Sequence, residues 1–160
     1  MKKMLAVAVR PYSGPLRQKV FRLLSGLGVE VQAPTQLGDG TSNQEAIGYL
    51  RTLRPNLLLI PFHVVRTEDG SRTSGLGLLA QLRREAPRFR ETRVIMPVSV
   101  FARLAFDTAT RNEPQQHVFP LVEEEIDREA TGQALERFLS EDGSTTASKG
   151  GVGDGLDQGR

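Results

Sequence analysis

Cysteine is absent from the 160-residue chain, which excludes a disulfide framework, a thiolate nucleophile and a cysteine zinc site. Long apolar runs are missing too. Leu5–Val9 and Leu57–Phe62 are the most extended, far short of the ~20 residues that a membrane-spanning helix needs. Met1-Lys2-Lys3 leads into so short an apolar run that neither the core nor the cleavage site of a secretory signal is present,. A soluble cytoplasmic protein without membrane insertion is therefore the expectation. A surplus of charge is lacking as well. Lysine and arginine total 21 against 19 acids, a formal charge of +2, too small to argue for nucleic acid as a partner.

What remains is enough for one domain with a real core. From about Asp142 the composition changes to Gly, Ser, Thr, Asp and Lys with almost nothing apolar. Such a segment cannot offset its ordering entropy by burial. The expected organisation is a domain over 1–141 and a disordered tail over 142–160.

Before that tail, strand and helix signals alternate. Met4-Leu5-Ala6-Val7-Ala8-Val9 reads as a strand covered on both faces,. A helix follows from Pro15, with Leu16, Val20, Leu23, Leu24 and Leu27 at helical spacing and Gly28 closing it,. Val29–Ala33 alternates like an edge strand. Ser42-Asn43-Gln44-Glu45 has capping-box spacing and introduces a helix with Ile47, Leu50 and Leu53 inward,. The run from Leu57 is an apolar central strand. Ser74 caps a helix with Leu78, Leu79 and Leu82 inward, Arg83, Arg84 and Glu85 toward water, and Pro87 at its end,. Arg93–Val100 is the fourth strand, where Pro97 suggests a bulge or early end. Phe101–Thr110 is a helix with an inward stripe of Phe101, Leu104 and Ala105. His117–Leu121 is a short fifth strand. The last helix runs from Asp127 to Ser140 with Ala134, Leu135, Phe138 and Leu139 inward, and Gly132 weakens it by about 1 kcal/mol relative to alanine.

This alternation predicts an α/β class fold, a three-layer flavodoxin-like sandwich around a five-stranded parallel sheet in the order 2-1-3-4-5. Its crevice lies at the carboxyl ends of strands one, three and four, which are Arg10-Pro11-Tyr12, Pro61-Phe62-His63 and Val98-Ser99-Val100. None of these ends carries a carboxylate. The only histidines, His63 and His117, fall on strands separated by another, so neither a metal site nor a cofactor is expected.

The Arg54-Pro55-Asn56-Leu57-Leu58-Leu59-Ile60 segment and the later Ser74-Gly75-Leu76-Gly77-Leu78-Leu79-Ala80-Gln81-Leu82-Arg83 resemble the receiver domain of bacterial response regulators. The resemblance covers roughly residues 3–141 and implies a receiver-like fold. It also implies a phosphorylation site made of an acidic pair after strand one, an acceptor aspartate ending strand three, a hydroxyl ending strand four and a lysine ending strand five. On this chain those positions fall on Arg10 and Pro11, Pro61, Ser99 or Val98, and Pro120 or Leu121. Arginine and proline neither bind Mg²⁺ nor carry a phosphoryl group. The resemblance is thus to a degenerate member, a pseudo-receiver. What it implies is a non-enzymatic signalling or scaffold protein that recognises another protein of a bacterial regulatory pathway, or a second copy of itself.

Two surfaces are candidates. The crevice gathers Arg10, Tyr12, His63 and Ser99, which suit a small anion or nucleotide. His63 and Ser99 have no evident third member for hydrolytic chemistry. The face of the fourth helix, fifth strand and fifth helix, which the resemblance implies is a partner surface, contains Phe101, Arg103, Phe106, Phe119 and Leu121. Phe106 lies off the expected inward stripe, where it either anchors an interface or covers the helix end and packs against Phe119. The arginines 83, 84, 88, 90 and 93 form a basic cluster, read as a solvated helix end because no stacking aromatics or recognition motif accompany it.

Overall fold

In the computed structural model, which describes residues 4–10, 15–38, 40–63, 65–66 and 72–140, the apolar runs become the strands of one parallel sheet. Chain order is β1 (Met4–Ala8), α1 (Pro15–Gly26), β2 (Val29–Gln32), α2 (Asn43–Leu50) and β3 (Leu57–Leu59). Then come β4 (Val65–Arg66), β5 (Arg72–Thr73), α3 (Gly75–Glu85), β6 (Arg93–Val98), α4 (Arg103–Asn112), β7 (Val118–Val122) and α5 (Glu129–Ser140). The sheet order is β2-β1-β3-β6-β7, all pairs parallel. Counting only these five strands, that is the expected 2-1-3-4-5. The expected tail, like Pro11, Tyr12 and the tip of the segment after His63, lies outside the described residues.

Side-chain alternation along the strands builds two cores. Ala6, Ala8, Leu57, Leu59, Ile95 and Leu121 face α1 and α5, joining Val20, Leu24, Leu135 and Leu139. Val7, Val9, Leu58, Ile60, Val94 and Met96 face α2, α3 and α4, joining Ile47, Leu50, Leu79, Leu82 and Phe106. A strand buried on both faces has no polar positions to spare, which is why these runs lack alternation.

The local signals read from the sequence act as expected at the helix starts. Ser42 Oγ accepts from Glu45 N at 3.1 Å while Glu45 Oε1 accepts from Ser42 N at 3.0 Å, a closed capping box. Ser74 Oγ accepts from Gly77 N at 3.1 Å. Gly28 turns the chain out of α1 with φ +82°, a conformation open to glycine at little cost,.

Four expectations change. The segment after β3 is not only a loop, because β4 and β5 pair antiparallel as a short ribbon. Pro97 neither bulges nor ends its strand: β6 runs through to Val98, Pro97 stands opposite Leu121, and its carbonyl accepts from Phe62 N at 2.9 Å. Arg83 does not face water. It lies four residues after Leu79 and seven after Leu76 on the buried stripe of α3, and is 6% exposed,. Its Nε donates to Phe89 O (3.0 Å), Nη1 to Gln116 O (2.7 Å) and Gln115 Oε1 (3.2 Å), and Nη2 to Thr92 O (2.9 Å).

The stripe of α4 is also rephased. A 3₁₀ turn at Val100–Ala102 precedes the α-helix, and its tighter winding rotates the helical residues after it. Ala102, Phe106 and Ala109 then point to the core. Phe101 and Leu104 point outward, 92% and 74% exposed.

Candidate functional site

At the carboxyl edge of the sheet, each strand ends in a residue whose partners are already set. β1 delivers Arg10, which has the left-handed φ of 49° and is 4% exposed. Its backbone N donates to Leu37 O at 2.6 Å. The guanidinium Nη2 donates to Thr41 O at 2.7 Å and Asn43 Oδ1 at 2.9 Å. Asn43 passes the chain of bonds on to Gln81 and thence Glu85. Arg10 therefore ties β1 to the start of α2 and to α3 instead of offering its charge to an open cleft.

β3 runs out into Ile60, Pro61 and Phe62, all buried, and then His63, which is exposed. Phe62 meets the Phe106 ring edge-on, with centroids 5.4 Å apart at 82°. The first turn of α3 presses on the same spot. A Cβ built on Gly75 would overlap the Pro61 carbonyl oxygen and stand 3.0 Å from its carbon and 3.1 Å from Ile60 Cγ2. Only glycine lets α3 begin against this strand end.

β6 is followed by Ser99, whose Oγ accepts from Ala102 N at 3.2 Å and caps the 3₁₀ turn. β7 continues to Val122, so Pro120 and Leu121, taken as candidates for the strand end, lie inside it, and Leu121 is fully buried. The carbonyl of His117 faces β6, and by alternation the missing N–H of Pro120 faces the open edge of the sheet, where a proline interrupts no ladder.

Acids do occur at this rim, after the fifth strand and not at the ends of strands one, three and four that are expected to carry none. Glu123, Glu124 and Glu125 form a 3₁₀ turn directly after β7. Glu124 Oε1 accepts from Val100 N at 2.8 Å. Burial, and then the neighbouring Glu124, push the Glu123 carboxyl up from its ordinary range. They stand at the outer strand and not beside β1 or β3. Among the described residues no three His, Asp or Glu side chains are gathered closely enough to hold a metal ion.

Of the expected crevice set of Arg10, Tyr12, His63 and Ser99, the described members sit at the ends of three different strands. Arg10 and Ser99 have internal partners, His63 is exposed, and Tyr12 lies outside the described residues, as does Pro11.

The α4 face differs from expectation in its anchors. Phe106 is 5% exposed and sits in the core against Phe62, so the reading of Phe106 as an exposed anchor is corrected. Leu121 is likewise inside. Phe119 is half-buried against Phe138, centroids 5.4 Å apart. Arg103 pairs with Asp107 at 3.1 Å one turn on. Of the expected set Phe101 is exposed, at 92%, and Val100 and Leu104 join it at 48% and 74%. The periodicity of α4 alone hid Leu104, because the phase shift comes from the 3₁₀ turn before it.

The basic cluster is expected to be solvated; Arg83 is buried instead and Arg93 half-buried, while Arg88 is exposed yet bonded to another element. Besides Arg83, Arg88 Nη2 donates to Arg51 O (2.9 Å) and Leu53 O (2.8 Å) past the end of α2. Arg93 Nη1 donates to Leu139 O (2.8 Å) near the end of α5. Cations are favoured at these helix ends, where carbonyls lack intrahelical partners. Arg84 and Arg90 remain exposed.

Comparison with solved structures gives the same fold. A sensor protein from Polaromonas sp. JS666 aligns with a TM-score of 0.58 at 15% identity, over 86% of this chain and 94% of that one. A response regulator receiver domain protein from Clostridium thermocellum gives 0.52 at 15%, over 85% and 90%. The receiver domain of NtrX from Brucella abortus gives 0.53 at 18%, over 86% and 99%. Against a longer NtrX chain, this chain spans 27% of the length. No known family profile and no curated protein matches the sequence. Among the described residues no helix is long and apolar enough to cross a membrane.

Proposed function

We propose that this receiver-like sandwich is a non-catalytic signalling or scaffold domain, which recognises another protein through the outer face of α4 without taking up a phosphoryl group. One observation carries the reading: the end of the central strand is Pro61 followed by a buried Phe62 locked edge-on to Phe106. In receivers, as the sequence resemblance implies, an acceptor aspartate belongs there. Here Pro61 and Phe62 stand at that strand end, and neither carries a nucleophilic oxygen. Arg10, bonded to Thr41 and Asn43, stands where a dication would need carboxylates,.

In this reading recognition falls to the surface. Phe101 and Leu104 lie three residues apart on the same side, with Val100 beside them, all exposed. Exposed aromatic anchors flanked by a charged pair such as Arg103–Asp107 have the make-up of interface centres.

The purified protein incubated with acetyl phosphate and Mg²⁺ is expected to show no phosphoryl adduct by intact mass, and no fluorescence change with beryllofluoride. In extract of the source cell, a Phe101→Asp variant with an unchanged melting temperature is expected to lose the partner that the natural chain retains. A stoichiometric phosphoryl adduct refutes the non-catalytic part. Equal partner recovery by the variant refutes the surface.

A further inference from the structure

At the opposite edge of the sheet, where strands β6 and β7 begin, lies a cleft of about 310 Å³. Its lining includes Arg83, Arg84, Arg90, Glu113, Gln115 and Gln116. We propose that this cleft binds a small phosphate-bearing anion.

The charge of the lining favours such a ligand. Three guanidinium groups meet a single carboxylate, Glu113, among the residues that line the cleft. Arg83 is the unusual one, because it is almost entirely buried and its four bonds run to three backbone carbonyls and one carboxamide. Among the described residues no carboxylate neutralises it, whereas buried charges are ordinarily paired,. Those neutral acceptors fix the guanidinium and leave its positive charge uncancelled beneath the cleft. Burial also pulls its pKa down to about 10, the mark of a cation short of counter-charge, and at neutral pH it stays protonated.

The geometry of the walls favours it too. His117 adopts the left-handed φ of 60°, uncommon outside glycine. That turn accompanies a Gln116 carbonyl held 2.7 Å from Arg83 Nη1 at the cleft wall. Gln115 stands opposite with its carboxamide oxygen on the same nitrogen at 3.2 Å, which leaves its amide N–H₂ as a further donor. Arg84 reaches Glu113 at only 3.4 Å, with both side chains more than 60% exposed. So exposed a pair is weak, and an oxyanion can displace it. Arg90 is exposed on the same wall. Guanidinium groups match phosphate oxygens in planar, two-pronged fashion, and the volume suits a small ligand.

This site is independent of the α4 face and of the strand ends where receiver chemistry would sit. The test is calorimetric titration of the full chain with inorganic pyrophosphate at low ionic strength, with sulfate as the competitor. Saturable one-site binding is expected. Arg90→Gln should weaken it about tenfold, the usual loss for one charge-assisted contact. Glu113→Gln should tighten it, since Arg84 is then free of its competitor. Arg54→Gln, an exposed arginine that does not line the cleft, should leave it unchanged. Circular dichroism melts of each variant check that the fold is intact. Heats that never saturate overturn the proposal, and so does an equal loss in Arg54→Gln and Arg90→Gln, which would mean general surface attraction.

Discussion

Gly75 opens α3 and Gly132 sits inside α5, and the same change to alanine should move stability in opposite directions. In a helix interior alanine is favoured over glycine by about 1 kcal/mol, because glycine loses more backbone freedom on folding. At Gly132 in α5 nothing lies within 4 Å of an added Cβ, so the whole gain should appear. At Gly75 the methyl would overlap the Pro61 carbonyl oxygen, with the Pro61 carbon at 3.0 Å and Ile60 Cγ2 at 3.1 Å. Those atoms are mostly backbone at the end of a central strand. They cannot swing aside as a long side chain would. Overpacking of this kind costs about 1–3 kcal/mol and occasionally more, and the rigidity of both partners puts Gly75→Ala at the upper end. After the propensity gain, a net loss of about 2 kcal/mol or more is expected. For a domain of this size each kcal/mol shifts the melting temperature by about 2–4 °C. Gly75→Ala should therefore melt roughly 5 °C or more below the natural chain, and Gly132→Ala a few degrees above it, in paired thermal melts followed by circular dichroism. If Gly75→Ala melts at or above the natural chain, α3 does not begin against Pro61, and this strand end has free room after all.

Phe106→Ala should cost about 3–5 kcal/mol, as for other buried aromatics, while Phe101→Ala should change stability by no more than about 0.5 kcal/mol. Urea denaturation of the two variants decides the matter, and similar losses would contradict the rotated phase of α4. Glu123→Gln should raise the melting temperature near neutral pH. The carboxyl is pushed up by burial and then by Glu124, so its charged form is disfavoured in the fold. A folded pKa above the unfolded one contributes stability below the unfolded value, which is lost as pH rises through the folded value. The advantage of the variant should accordingly open as pH rises through the raised pKa and close under more acidic conditions. A difference that widens toward low pH would reverse the assignment.

The sheet was legible because its signals are dense. Five apolar runs separated by amphipathic spans leave few alternatives to a parallel, doubly covered sheet, and Ser42, Ser74 and Gly28 mark helix ends with residues chosen for that geometry. The departures have specific causes. Pro97 offers no N–H, yet its carbonyl still meets Phe62 N, so a missing donor did not end the strand. Arg83 belongs by position to the stripe of Leu76 and Leu79, but its charge argued for water, and only the carbonyls of Phe89, Thr92 and Gln116 explain its burial. The phase of α4 depended on one 3₁₀ turn, which no periodicity count contains. At the candidate site, Pro61 and Arg10 were legible as residues without phosphoacceptor chemistry, since identity alone decides that. The pairing of Phe62 with Phe106 was not visible, because it joins elements more than forty residues apart.

Arg83, Arg88 and Arg93 each reach across from one element to carbonyls on another, and all three do so at the end of the molecule where the strands start. The sandwich is laced shut from below, like a boot fastened at the heel. Its upper rim is held separately, by Arg10 on Leu37, Thr41 and Asn43 and by Phe62 against Phe106, so each end of the sheet has its own fastening.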